Sequence, residues 1–159
     1  MLRHYPALVA LSAFLLLPGC GGGKRLPEDA ARILEKANTI ELVSLNPDHE
    51  AKRPAGGLRG WNVLGRATLD GDDKKAILAA LQAGIEGNEG RAAKCFNPRH
   101  GIEATYEGKT VELVICFECL SMEGWNDGRP FKALTTGGPA GEFNRMLEAK
   151  GVALPKAKE

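Results

Sequence analysis

Apolar residues along the chain fall into three kinds of pattern. Ala7 to Leu17 is an almost unbroken apolar run, ALVALSAFLLL. It is too short to cross a bilayer as a helix and has the length of the apolar centre of an export signal. Ala30, Ile33, Leu34 and Ala37 then recur at helical spacing behind Pro27, Glu28 and Asp29. Proline in a first turn, with carboxylates at the positive end of the helix dipole, predicts a helix over 27–37. Thr39 to Leu45 is β-branched and aliphatic and reads as a strand, followed by a Pro- and Gly-containing loop over 46–60. Residues 61–69 alternate: Trp61, Val63, Ala67 and Leu69 are assigned to one face, and Asn62, Arg66 and Thr68 to the other.

Asp70 to Asp73 cap a second helix whose buried stripe is Ile77, Leu78, Leu81 and Ile85. Gly87 ends it, and Gly84 weakens it from within. Residues 92–123 carry a strong β signal, with Ile102 to Tyr106 and Lys109 to Met122 flanking a Glu107-Gly108 turn. Phe131 to Thr136 is a further short strand. A last helix starts at Gly137-Gly138-Pro139, buries Phe143, Met146 and Leu147, and ends at Lys150-Gly151. The order α-β-β-α-β-β-(β)-α, with hairpin connections, predicts an α+β fold. Its sheet is mainly antiparallel, built on a central long hairpin with helices packed on one face.

Composition narrows the class. The chain has 159 residues, 43% hydrophobic and 26% charged, with 21 basic and 20 acidic side chains. A balanced charge argues against a nucleic-acid surface, which needs a concentrated positive field. After residue 20 no stretch is apolar enough to span a bilayer. The expected organisation is a signal peptide over 1–19, a tether over 20–26, one domain over 27–154 and a tail over 155–159.

Leu17-Pro18-Gly19-Cys20 follows the leader and resembles a bacterial lipobox, although Pro18 departs from the usual small or hydroxylated residue. The resemblance implies cleavage before Cys20, a thioether-linked diacylglycerol on its sulfur and acylation of the new amino terminus. Acyl chains at about 0.8 kcal/mol per buried methylene anchor firmly. Gly21-Gly22-Gly23 suit a flexible tether. Gly21 behind the cysteine, by resemblance to sorted lipoproteins, favours the periplasmic face of the outer membrane in an organism that has one.

Cys95, Cys116 and Cys119 remain, and with His100 they read C-x4-H-x15-C-x2-C. Sulfur and imidazole donors in a set of four match a zinc site, and copper(I) also accepts them. If Tyr106 opposes Lys109, then Ile102 faces Leu113, Ala104 faces Val111, His100 faces Ile115 and Glu103 faces Glu112. Cys95 then approaches Cys119, a candidate disulfide in an oxidising compartment. Cys116 points away from Cys119 if the strand is continuous, which counts against the metal set, whereas a one-residue change in register would place His100 opposite Cys116 and partly restore it. Reduced buried thiols and a redox-active Cys-x-x-Cys are the other readings. Asn97-Pro98-Arg99-His100-Gly101 interrupts the β pattern. It either presents Arg99 and His100 to an anionic or metal-bearing partner or is a bulge whose histidine satisfies a backbone carbonyl.

The blocks Cys95-Phe96-Asn97-Pro98-Arg99-His100-Gly101 and Val114-Ile115-Cys116-Phe117-Glu118-Cys119 resemble paired blocks in small bacterial proteins of uncharacterised role, often lipoproteins. That resemblance extends from about Leu42 to Leu154 and implies a domain extent without a mechanism. No phosphate loop, nucleophile elbow, zinc-protease pair or haem attachment motif occurs. Asp48-His49-Glu50 reads as a solvated loop. The expected role is a non-enzymatic envelope lipoprotein, held by lipid on a membrane and binding an envelope protein or component. A metal-binding lipoprotein and a thiol–disulfide protein are the alternatives.

Overall fold

A computed structural model describes residues 25–48 and 56–156. The leader, Cys20, most of the glycine tether, His49 and Glu50 lie outside the described residues. Among the described residues nine elements follow one another: α1 (Glu28–Lys36), β1 (Ile40–Asn46), β2 (Asn62–Leu69), α2 (Gly71–Glu86), β3 (His100–Tyr106), β4 (Lys109–Cys116), β5 (Ser121–Asn126), β6 (Arg129–Leu134) and α3 (Ala140–Ala149). The strands form one antiparallel sheet in the order β2-β1-β3-β4-β5-β6, an α+β fold with its helices on one side.

The helices dock where their apolar stripes require. Ile33 and Leu34 of α1, Ile77, Leu81 and Ile85 of α2, and Phe143, Met146 and Leu147 of α3 are buried. They cover Leu42, Ile102, Leu113 and Ile115 of the central strands. Lys74 Nζ donates to the carbonyls of Glu35 and Ala37, so α2 satisfies orphan acceptors at the end of α1. Gly84 is where α2 meets the segment before α3: an added Cβ would lie 2.6 Å from Pro139 Cγ and 2.6 Å from Thr135 Oγ1. The weak spot in the helix pattern is therefore a packing requirement.

The central hairpin has the register that alternation and turn chemistry predict, with Tyr106 opposite Lys109, Ile102 opposite Leu113 and His100 opposite Ile115. Glu107 and Gly108 both take positive φ, 49° and 75°, as a two-residue hairpin turn requires. Three local expectations need correction. Residues 92–99 form an irregular loop rather than a strand. The long strand over 109–122 breaks at Cys116; the chain turns through Phe117 to Leu120 and returns as β5. A second hairpin then turns at Asp127-Gly128, φ 49° and 79°.

The third correction concerns Trp61 and Val63. Ser44 pairs with Gly65 and Leu45 with Val63, leaving Leu64 as an extra residue in β2. This bulge reverses the alternation. Ala67 and Leu69 stay on the helix face, while Trp61 and Val63 join Val43, Leu45, Leu58, Phe96 and Val114 in a smaller cluster on the other face.

Candidate functional site: a three-cysteine corner beside an open sheet face

The face opposite the helices is divided. One half is sealed by Leu58, Trp61 and Phe96, with the Trp61 and Phe96 rings edge to face at 6.1 Å. The other half is polar. Glu103 lies opposite Glu112, and each carboxylate has its own guanidinium: Arg66 on Glu103 and Arg59 on Glu112. Pairing removes the like-charge repulsion of two facing carboxylates. Thr68 Oγ1 donates to Glu41 at 2.6 Å, and Arg59 also lies 4.7 Å over the Trp125 ring. A cleft of about 480 Å³ opens there, lined by Asn38, Glu41, Arg66, Glu103, Thr105 and Thr110 among others.

The cysteines meet where β4 turns into β5. Cys116 ends the strand, and Cys119 closes the turn with its N–H donating to the carbonyl of Cys116 at 3.2 Å. The turn brings the two residues to a Cα separation of 5.1 Å, and a disulfide joins them. The loop over 92–99 lies across this turn. Ala93 N–H donates to the Cys119 carbonyl at 3.0 Å, and Asn97 N–H points at Cys119 Sγ from 3.4 Å. These contacts place Cys95 Sγ 2.9 Å from Cys119 Sγ. The Cys95–Cys119 pair therefore comes into contact, but the bond in the structure is Cys116–Cys119, because the chain turns between residues that a continuous strand would have pointed apart. Cys95 is a free thiol.

The four-donor metal set of Cys95, His100, Cys116 and Cys119 is not assembled. His100 opposes Ile115 and shares its face, so it projects toward the helices while Cys116 projects the other way. Among the described residues no group of three or more histidine, cysteine or acidic side chains is placed to hold an ion. His100 is 3% exposed, between Phe117 and Phe143 with ring centroids 5.2 and 5.6 Å away. Its Nε2 pairs with Asn144 Oδ1 at 2.7 Å. Burial lowers its pKa from 6.5 to about 4; the Asn144 bond opposes that shift and Arg99 adds to it. Ser44 opposes it on β1, and neither Ser44 Oγ nor His100 Nδ1 has a hydrogen-bond partner among the described residues.

Arg99 and His100 are thus not offered outward as a binding pair. Arg99 is pinned, with Nε 3.3 Å from Glu118 Oε1 and a terminal nitrogen donating to the Lys156 carbonyl at 3.1 Å. The kink serves to tie the loop, the β4–β5 turn and the C-terminal segment together. Sequence reasoning missed the turn at Phe117–Leu120, which has neither Gly nor Pro, and the second hairpin, for which Asp127-Gly128 was a legible signal. No protein-family model, curated protein or solved structure matches the chain.

Proposed function

We propose that the chain is a membrane-anchored envelope lipoprotein whose domain is a binding module, receiving its partner on the polar half of the open sheet face. The observation that carries the reading is the uncovered cleft beside Arg66 and Glu103, on a sheet whose other face is filled by helices. Glu103 and Arg66 are already paired, Glu41 accepts from the Thr68 hydroxyl, and hydroxyl and amide groups complete the lining. Such a surface favours a hydrogen-bonding envelope component over a highly charged one, since a ligand charge set against Arg66 or Glu103 would have to displace their ion pair. The lipobox-like Leu17-Pro18-Gly19-Cys20 supports the anchor. Among the described residues no helix is long and apolar enough to cross a membrane.

Two measurements test this. Intact-mass analysis of the native product is expected to show acyl chains on Cys20 as the first residue; an unmodified thiol there refutes the anchor. A photo-crosslinking residue at Thr110 is expected to capture a discrete envelope component in cells. The same group at Lys75, on the exposed surface of α2, should not. Arg66→Glu should abolish the Thr110 adduct by setting a like charge against Glu103. Equal adducts at both positions, or an adduct indifferent to Arg66→Glu, would remove the open face as the binding surface.

A further inference from the structure

Two of the three sulfurs in the corner are out of reach of water, and the third is not. Cys116 is 1% exposed and Cys119 is fully buried, whereas Cys95 is exposed. A reductant or partner thiol dissolved in water therefore has no direct route to the Cys116–Cys119 bond. Cys95 Sγ does, from 2.9 Å. The loop that carries it is held in place by the Ala93 and Asn97 backbone bonds to Cys119.

We propose that Cys95 is the port of a three-cysteine relay, through which the buried disulfide exchanges with the dithiol of a partner protein. In the first step the Cys95 thiol loses its proton to solvent and the thiolate attacks Cys119 Sγ. The Cys95–Cys119 bond forms, the Cys119–Cys116 bond breaks, and Cys116 departs as a thiolate that takes up a proton. No electrons are gained or lost, because one disulfide has replaced another. The leaving sulfur is provided for in both forms: Cys119 N–H points at Cys116 Sγ from 3.2 Å, a donor for the departing thiolate, and the Asn97 carbonyl at 3.4 Å accepts from the thiol once it is protonated.

The rearranged bond now ends on an exposed sulfur. One thiolate of the partner dithiol attacks Cys95 Sγ, forming a mixed disulfide and releasing Cys119. The partner's second thiolate then attacks its own sulfur in that bond and releases Cys95. The partner leaves with a disulfide, and this chain keeps three thiols, having gained two electrons and two protons. A groove of about 330 Å³ lies beside Cys95, lined by Lys94, Phe96, Ser121, Glu123 and Lys132 among others, and gives the partner segment a place to lie. This relay does not depend on the lipid anchor or on the polar cleft.

The test uses the full-length protein and dithiothreitol as the dithiol, with each disulfide followed by peptide mapping. Wild type is expected to lose the Cys116–Cys119 bond readily. In Cys95→Ser that bond should be reduced at least about tenfold more slowly, because direct attack must wait for local opening of the corner. Cys95 is exposed, so its replacement leaves the fold intact, which an unchanged melting temperature verifies. A second variant, Cys116→Ser, is expected to oxidise to a Cys95–Cys119 disulfide. Equal reduction rates in wild type and Cys95→Ser overturn the proposal. So do two persistent free thiols in oxidised Cys116→Ser, or native protein isolated with stoichiometric metal on three reduced thiols.

Discussion

The buried imidazole makes the stability of this domain depend on pH in a calculable way. Free histidine ionises near 6.5, while His100 in the fold is held to about 4 by its burial between Phe117 and Phe143. Between those two values the unfolded chain binds a proton at this position and the folded chain does not. Stability therefore rises with pH across the window and falls as the solution is acidified from 6.5 toward 4. At 1.36 kcal/mol per pKa unit, acidification from pH 7.5 to 4.5 removes about 2 to 3 kcal/mol through this one side chain. Against a typical domain stability of about 5–15 kcal/mol that is a large fraction. The assay is urea unfolding of wild type and His100→Gln at a series of pH values. Glutamine keeps an amide to meet Asn144 and has nothing to titrate, so carboxylates elsewhere affect both proteins alike. The wild-type midpoint is expected to fall more steeply than that of the variant between pH 6.5 and 4.5, at unchanged denaturant slope. Parallel pH profiles for the two proteins would refute the buried neutral histidine.

Gly84→Ala is a second case, in which two effects oppose each other. Alanine in a helix interior gains about 1 kcal/mol over glycine, but the new methyl would meet Pro139 and Thr135 at 2.6 Å, and overpacking costs about 1–3 kcal/mol. A lowered melting temperature is expected; a raised one would mean that the segment before α3 yields freely. Phe143→Ala is expected to lose about 3–5 kcal/mol, since Phe143 is fully buried and stacks edge to face on both His100 and Phe117. Denaturant unfolding reads that loss, and a change under 1 kcal/mol would contradict its central place in the core.

Much of this protein was legible from local chemistry. The three helices are read from their apolar stripes, while the capping expected of the Asp70 carboxylate is not made, and the β3–β4 register is read from alternation on either side of Glu107-Gly108. These are interactions between residues close in sequence, where the permitted dihedrals and the alternation of side chains leave few solutions. The opposition of Glu103 and Glu112 follows from the same register.

Tertiary structure decided the rest, because those features depend on partners far along the chain. Nothing in Cys116 to Leu120 marks a turn, and Leu120 takes φ 56°, a conformation costing about 1–2 kcal/mol for a side chain with a Cβ. The turn is held by pairing of β5 with β4 and by bonds from Ala93 and Thr135 to the carbonyls of Cys119 and Leu120. Only once it forms do Cys116 and Cys119 meet and Cys95 settle against them. The Leu64 bulge likewise exists only in the pairing of β2 with β1, and it alone sends Trp61 and Val63 to the face away from the helices. Periodicity along one segment specifies which side chains share a face; which face meets the core, and which sulfur meets which, is specified by the strand that lies alongside.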